Sequence, residues 1–430
     1  MKIVPDYWDE ELETISPEQF RGRQTLKMQK HLRYACQNSL FYKRKFERAG
    51  LRPAEIKTLD DFSRKVPLLT HEELIKDQKE NAPFGDILTV GIKEIRRIYC
   101  SPGPLVMPFS KNDMDAFINS TANGLYICGA RRGDIVDITY GYQWDLAGTM
   151  LDDGFRRLGC AVVPGGTGMT RTHLIIMQHL GVSTIFAFPS FGLKLAETAK
   201  EMGMDPRRDL KVRLIIIGQE VWDEDDKQLL AEEFGAEVRA IYGGAEAGLV
   251  AAECPYGGGM HWYSDSILEV VDPATGRPVP DGEPGEIVTT DLSRKGLPII
   301  RYRTGDITLG LNTRPCPCGR TSPRLGRLIG RTGNILRVKG VYLVPELIEK
   351  VISGYEKLGR FQIIVDRVKL RDNLILQIET SADENSDPIR KKLEQHLRAV
   401  TRLRAEITFV PRGTIPENAP LVADKRYASY

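Results

Sequence analysis

The spacing of apolar and polar positions changes three times along the chain. Residues 17–39 are rich in Lys, Arg, Gln and Leu, and this pattern predicts a helix. At 58–63 and 70–73 a Thr precedes acidic residues, the usual start of a helix, so the first hundred residues are expected to be mainly helical. From about Gly133 the pattern becomes mixed. Extended, apolar runs at 134–142, 182–188, 212–217 and 236–242 alternate with helical stretches at 169–180, 191–201 and 223–234, the last closed by Gly235. Such alternation predicts an α/β sheet with parallel pairing. Two further runs, 267–271 and 285–290, flank DPATGRPVPDGEPG, whose Pro and Gly residues force turns. They predict an antiparallel β subdomain at about 262–325. Beyond Gly330 a small βαβ-like tail follows: an extended piece at 336–344, a helix at 345–353, strands at 361–366 and 373–379, and a helix at 388–400. The expected domains are therefore 1–329 and 330–430.

Composition narrows the function classes. A chain of 430 residues exceeds one ordinary core, and 41% hydrophobic with 27% charged residues excludes a disordered chain. Lys and Arg number 60 against 58 Asp and Glu, so the net charge of +2 argues against a dedicated nucleic-acid binder. Apolar runs fall short of the ~18 residues of a spanning helix, and residues 1–10 lack the basic start and apolar core of a leader. The sequence reads as cytoplasmic, without a membrane partner. Seven cysteines, an odd count, do not make a secreted disulfide scaffold.

Two strings carry candidate chemistry: YGGAE at 242–246, at the end of an expected strand, and YRTGD at 302–306. Ligands bind at strand ends in open α/β sheets. A carboxylate there can hold Mg²⁺, and one at Asp306 can accept from two ribose hydroxyls. Each string alone also makes an ordinary turn.

In this order, the strings resemble the adenylate-forming enzymes, and within them the phenylacetate–coenzyme A ligase family. The similarity runs from YWDEELETISPEQF through LFYKRKFERAGLRP, TLDDFSRKVPLLTHEEL, YGY at 140–142, GQEVW at 218–222, YGGAEAG, DGEPGEIVTT, YRTGD and CPCGRT to GRTGNILRVKGVYLVPELIE at 330–349. The resemblance implies a large N-terminal domain with α/β sheets and a β subdomain, and a small mobile α+β C-terminal domain. It also implies a two-step reaction, in which ATP activates an aryl or acyl carboxylate as an acyl-adenylate and coenzyme A, the usual thiol acceptor, displaces AMP. By the same resemblance Glu246 contacts Mg²⁺, Asp306 the ribose, and Arg331 the ribose or phosphate. Tyr242 and Gly243 line the adenylate, and Gly218, Gln219 and Glu220 pack against adenine. Tyr140, Tyr142 and Ile241 border the acyl pocket. For the tyrosines, core packing with the hydroxyl at the rim stays open.

The chain departs from the family in the phosphate loop, SSGTTGKP-like in the family and YCSPGPLVMPFS here. Only Ser101 and Gly103 match, the loop is about four residues short, its Lys is absent, and Pro102 and Pro104 bring no N–H. The C-terminal stretch that carries the family's adenylation lysine is about three residues short and has no Lys at the expected place, Lys425 aligning better with a different basic position, and Gly333 and Asn334 stand where the hinge acid is expected. A lysine on the α-phosphate stabilises charge that develops in the transition state. Hence two alternatives to ligation stay open: a degenerate homologue performing ATP-independent acyl transfer or cyclisation, and a non-catalytic binding protein. In YGYQWD, Asp145 replaces a Phe-like position of the acyl pocket; it reads either as a helix N-terminal acid or as a partner for a polar substrate group.

Four soft ligands are grouped in loops: Cys254, His261, Cys316 and Cys318. Three thiolates and an imidazole suit a closed, structural Zn²⁺ site, and the alternatives are unrelated loop residues or a redox pair. Cys36, Cys100, Cys128 and Cys160 read as ordinary buried thiols, and His31, His71, His173, His179 and His396 as satisfied histidines. The expected partners are a small carboxylate and a thiol, with a homodimer left open.

Overall fold

The computed structural model describes residues 6–101, 105–144, 146–220, 222, 224–262, 265–332, 336–338, 341–343, 345–355, 357–368, 371–380, 386–401 and 403–425. The chain forms two units, one of residues 1–304 and 308–328, the other of 305–307 and 329–430.

In the first unit the strands are β1 (Ile95–Ser101), β2 (Leu105–Ser110), β3 (Ile135–Ile138), β4 (Ala161–Val163), β5 (Thr184–Ala187), β6 (Leu214–Ile217), β7 (Glu237–Gly244), β8 (Gly248–Glu253), β9 (Met260–Trp262), β10 (Ser266–Val271), β11 (Gly285–Asp291), β12 (Tyr302–Thr308), β13 (Leu311–Asn312) and β14 (Arg324–Leu325). Nine of them make one sheet in the order β13-β14-β9-β8-β7-β6-β5-β3-β4. From β4 to β7 every pairing is parallel, and from β7 outward through β8, β9 and β14 every pairing is antiparallel. The parallel part is buried on both faces, which is why its strands read as unbroken apolar runs. All four residues of β6 are fully buried; Ile215 and Ile217 pack with Leu174 and Leu195 in one cluster, Leu214 and Ile216 with Phe155 and Phe186 in another. Each such side chain contributes about 1.5–3 kcal/mol relative to exposure.

Strands β10 and β11 form the expected antiparallel pair, with Leu268 opposite Thr289. The subdomain expected at 262–325 is, however, not one piece. β13 and β14 lie within that span but join the nine-stranded sheet, because β14 pairs with β9 through Arg324 and His261.

The N-terminal helices follow their caps. Pro17–Asn38 starts at Ser16 with a capping box to Gln19, Leu59–Lys65 at Thr58 with Asp61, and His71–Glu80 at Thr70 with Glu73. Each cap contributes roughly 1 kcal/mol. Their apolar faces share a core with Leu297, Ile299 and Ile300.

In the second unit the strand residues Gly305–Ile307 lie beside β15 (Leu328–Arg331). Strands β16 (Leu336–Val338) and β17 (Val341–Leu343) make a hairpin ahead of the helix Pro345–Ser353. Strands β18 (Phe361–Val368), β19 (Arg371–Thr380), β20 (Glu406–Pro411) and β21 (Val422–Asp424) form a mixed sheet in the order β20-β19-β18-β21. β19, the helix Ser386–Thr401 and the parallel β20 are a βαβ crossover. The sequence pattern missed β20 and β21, each short and separated by a Gly- and Pro-bearing turn.

Candidate functional site

The string YGGAEAG becomes a hairpin. β7, the last parallel strand, ends at Gly244, turns through Ala245, Glu246 and Ala247, and returns antiparallel as β8. A bulge between Tyr242 and Gly243 brings the two backbones so close that a Cβ on Gly243 would lie 2.5 Å from the Gly248 carbonyl oxygen. Only glycine fits there. The turn presents Glu246, largely buried, whose carboxylate lies 3.7 Å from His71 Nδ1; that nitrogen is also 3.4 Å from the Tyr302 hydroxyl. His71 is the first residue of a helix and was expected to be an ordinary satisfied histidine. Its position beside Glu246 arises only when the N-terminal helices pack on the hairpin, so no local signal could have revealed it.

At the end of β6, Gln219 adopts a left-handed backbone (φ +64) and Glu220 accepts hydrogen bonds from Ser190 N (3.1 Å) and Oγ (2.7 Å). Between these strand ends and the helices Lys111–Cys128 and Leu146–Leu158 lies a cavity of about 520 Å³, counting its open mouth. Gly218, Gln219, Ile241, Gly243, Gly244 and Ala245 border one part of it, and Phe117, Thr121, Met150, Leu151 and Phe186 another. Tyr140 and Tyr142 are absent from this lining. Tyr140 is buried, stacks on Phe188 and donates its hydroxyl to the Gly218 carbonyl at 2.8 Å. Burial pushes its hydroxyl well above the ordinary range. The Tyr142 hydroxyl donates to Asp152 at 3.3 Å, and burial raises its pKa as well. The open alternative, core packing, describes Tyr140. A larger hollow of about 1100 Å³ shares Phe117, Gly248 and Leu249 with the first and is lined by none of the residues to which the sequence assigned a catalytic, binding or metal role.

The altered phosphate loop stands between β1 and β2. β1 pairs with β2 so that Ser101 faces Leu105, leaving three residues, 102–104, to join them. Gly103, with Pro102 and Pro104, lies outside the described residues, as do Asp145, Gly333 and Asn334. Lys111 forms an exposed ion pair with Asp115. In the second unit Arg331 Nε donates to Asp306 Oδ1 at 2.8 Å.

A second cluster lies in the antiparallel part of the large sheet. Cys254 follows β8, His261 sits in β9, and Cys316 and Cys318 occupy the loop between β13 and β14. Three glycines, 257 to 259, with φ of +64, +74 and +116, turn the chain so that His261 returns beside Cys254. All four ligand atoms are buried and lie within 4.8 Å of one another. Cys254 and Cys316 Sγ are 3.7 Å apart, and Cys318 Sγ is 3.2 Å from His261 Nε2. His261 Nδ1 faces Ser322. The hydrogen bond from Cys254 holds the Cys318 thiol below its usual range, against burial and with help from His261. The remaining cysteines divide: Cys128 and Cys160 are buried as expected, whereas Cys36 and Cys100 are only half-buried. His31 departs too, since its buried Nε2 has no partner.

Residues 154–291 match the model of the AMP-binding enzyme family, and residues 340–426 that of the AMP-binding enzyme C-terminal domain. The phenylacetate–coenzyme A ligase of Thermus thermophilus is 31% identical over 95% of this chain and 96% of its own length. That of Escherichia coli is 29% identical, covering 95% and 94%. Among solved structures, an open conformation of 2-hydroxyisobutyryl-CoA ligase, in complex with 2-HIB-AMP and CoA, superposes with a TM-score of 0.88 at 27% identity, over 98% of this chain and 96% of that one.

Proposed function

The chain belongs to the phenylacetate–coenzyme A ligase family of adenylate-forming enzymes, and from that premise we propose that it joins a small carboxylic acid to coenzyme A at the expense of ATP. A carboxylate oxygen bonds to the α-phosphorus and pyrophosphate leaves. The coenzyme A sulfur then bonds to the acyl carbon, AMP leaves, and the thiol proton passes to solvent. The observation that carries this reading is the cavity at the ends of β6 and β7, lined by apolar side chains and adjoining the turn that holds Glu246. ATP-independent acyl transfer and simple binding are not favoured, because the ligase relatives match the chain almost end to end.

Within this reading the acid occupies the cavity, with Ile241 in its wall, and its carboxylate faces the Gly243–Ala245 backbone. Gly218, Gln219 and Glu220 border adenine, Tyr242 and Gly243 the adenylate, and Asp306 accepts from the ribose hydroxyls, releasing its bond with Arg331. Glu246 is a suitable Mg²⁺ ligand, an oxygen donor at the rim of an apolar site, and the ion would supply charge neutralisation for the phosphates. With the family's loop lysine absent, the short β1–β2 connection contributes less to the β- and γ-phosphates than the family's loop does. Carboxylate-dependent pyrophosphate exchange followed by thioester formation tests the assignment; exchange that stays absent over a panel of aryl and aliphatic acids overturns it.

Cys254, His261, Cys316 and Cys318 are proposed to hold one Zn²⁺. A tetrahedron with Zn–S bonds of ~2.3 Å has S–S edges of about 3.8 Å, and Cys254 and Cys316 stand 3.7 Å apart. His261 Nδ1 is fixed by Ser322, the usual arrangement behind a ligating imidazole. With four protein ligands no position remains for a reacting water, so the role is structural. Among the described residues no helix is long and apolar enough to cross a membrane.

A further inference from the structure

The two strings that the sequence marks for chemistry, YGGAE and YRTGD, meet at one side chain that belongs to neither. His71 Nδ1 lies 3.7 Å from the Glu246 carboxylate and 3.4 Å from the Tyr302 hydroxyl. The three residues come from separate elements of the first unit: a helix start, the β7–β8 turn and the first position of β12. The Glu246 side chain is 14% exposed and that of His71 35%, so the carboxylate keeps a narrow face to solvent with the imidazole beside it.

The backbone that carries His71 is pinned to the YRTGD segment. Leu69 N donates to the Arg301 carbonyl and Arg303 N to the Leu69 carbonyl, both at 2.9 Å. Arg301 has a left-handed backbone (φ +50), and its buried guanidinium donates to the Val66 carbonyl at 2.6 Å and to both Glu269 oxygens at 3.0 Å. Strain of this kind persists where its surroundings over-determine it, commonly at functional sites. Thr70 then caps the helix through Glu73, which Lys45 also pairs. With residues 66–71 fixed in this way, the freedom left to His71 is rotation of its own side chain.

A carboxylate oxygen only accepts, so the imidazole nitrogen facing it serves it as an N–H, and the Tyr302 oxygen can accept from the same N–H. At 3.7 Å the contact to Glu246 is longer than a hydrogen bond. It biases the orientation of the carboxylate and leaves the oxygen lone pairs for another partner.

We propose that His71 is a positioning residue for Glu246: its Nδ1–H fixes the orientation of the carboxylate that serves Mg²⁺–ATP. This rests on the ligase reading of the chain. His71 acts through Glu246 and is given no contact with the nucleotide. Partners that orient a metal-binding side chain from behind are usually worth about 10–100-fold in metal affinity or activity.

The test uses the full-length protein and three substitutions. Asn brings an amide nitrogen close to where Nδ1 stands and Gln brings one to where Nε2 stands, so His71→Asn should keep the function and His71→Gln should not; His71→Ala removes both nitrogens. Calorimetry follows AMP binding without metal and ATP binding over a series of Mg²⁺ concentrations, and pyrophosphate exchange is followed over the same series. In His71→Ala the Mg²⁺ needed for half-maximal ATP binding should rise about tenfold, while AMP affinity stays within about twofold of the parent. His71→Asn should return most of that shift and His71→Gln little of it. A Mg²⁺ dependence unchanged in His71→Ala, AMP and ATP weakened alike, or Asn and Gln behaving the same would each overturn the proposal. If His71→Ala fails to fold, the comparison of Asn with Gln decides. A shifted Mg²⁺ dependence of ATP binding in a protein without exchange would keep the role of His71 and remove the ligase reading. Exchange with an unshifted dependence would do the reverse, and a parent that binds neither nucleotide removes both.

Discussion

The Cys/His cluster and the strand-end cavity are built alike and finished differently. Both draw on residues scattered along the first unit, and both use glycines to bring backbones together. In the cluster every ligand atom faces another member, and the surroundings are closed as well. Arg320 Nε donates to Glu13 at 2.6 Å and the Tyr7 hydroxyl donates to the Cys318 carbonyl at 3.1 Å. The cavity is left incomplete. Close to its rim Arg294 is buried over the Phe109 ring, with Nε and Nη2 unpartnered and only a 3.5 Å contact from Nη1 to the Ala245 carbonyl. Burial lowers the pKa of that guanidinium, against the pull of Asp291, Asp113 and Glu246. A site that holds the fold satisfies itself, whereas a site that turns over ligands leaves part of its bonding to them.

If that contrast is correct, the largest loss of stability comes from the cluster. Cys316→Ser, or removal of metal by a strong chelator, should cost about 3–5 kcal/mol and lower Tm by many degrees. Acid affinity of the fraction that remains folded should change little. Purified protein with much less than one zinc per chain, or an unchanged Tm after chelation, would break the comparison at its first term.

The next effect separates two adjacent glycines. A Cβ at Gly243 meets the Gly248 carbonyl at 2.5 Å and Leu249 Cα at 2.8 Å, both backbone, whereas one at Gly244 meets nothing within 4 Å. Gly243→Ala should cost about 2–3 kcal/mol by overpacking and displace the turn that presents Glu246. Gly244→Ala should stay within about 0.5 kcal/mol. Urea unfolding of both variants measures the difference, and equal costs would mean that the hairpin is looser than its geometry.

Glu246→Gln should leave stability within about 1 kcal/mol and reduce pyrophosphate exchange about 100-fold, because a charged ligand near the phosphates is lost while the shape is kept. A variant that exchanges normally would move the Mg²⁺ assignment away from this turn. One that unfolds would make the pair with His71 structural, and so place this part of the site with the cluster.

How much of this was legible in the sequence depends on whether a residue acts through its neighbours in the chain. The caps at Thr58 and Thr70, the stop at Gly235 (φ +62) and four of the five parallel strands are local, and they were read correctly; the three-residue β4 was too short to stand out. So was the grouping of Cys254, His261, Cys316 and Cys318, because soft ligands in Gly-rich loops are rare enough to stand out. Tyr140 and Tyr142, placed beside the acyl pocket by resemblance, stand outside the cavity lining. β3 ends at Ile138, and the chain then bends to meet the next helix, with Gly148 N donating to the Gly141 carbonyl at 3.2 Å. His71 could not be read, because it acquires Glu246 as a neighbour only through tertiary packing.

The effect smallest at neutral pH concerns His31, and it sharpens the comparison by showing that not every unpaired atom awaits a ligand. His31 is buried in the helix Pro17–Asn38, its Nε2 has no partner, and it lines neither hollow. Burial first, and then the charge of Lys295, hold its pKa down at about 4 against the opposing pull of Asp113. The unfolded chain protonates this imidazole near 6.5, so below that pH the unfolded state binds the proton that the folded state refuses. The stability His31 contributes is therefore fully present above pH 6.5 and is lost as pH falls toward about 4. By pH 5.5 the loss reaches about 1.4 kcal/mol, one pH unit of linkage. His31→Leu removes the titration and the orphan nitrogen together, so its stability at pH 7.5 should lie within about 1 kcal/mol of the parent and its acid limb should be flatter. Urea unfolding at half-unit steps from pH 7.5 to 5 measures both limbs. Parallel pH profiles for the two proteins would show that His31 is reached by water, and that an unpaired buried nitrogen in this core costs nothing. A flatter limb with acid binding unchanged would instead mark His31 as an orphan tolerated by packing, remote from the ligand cavity.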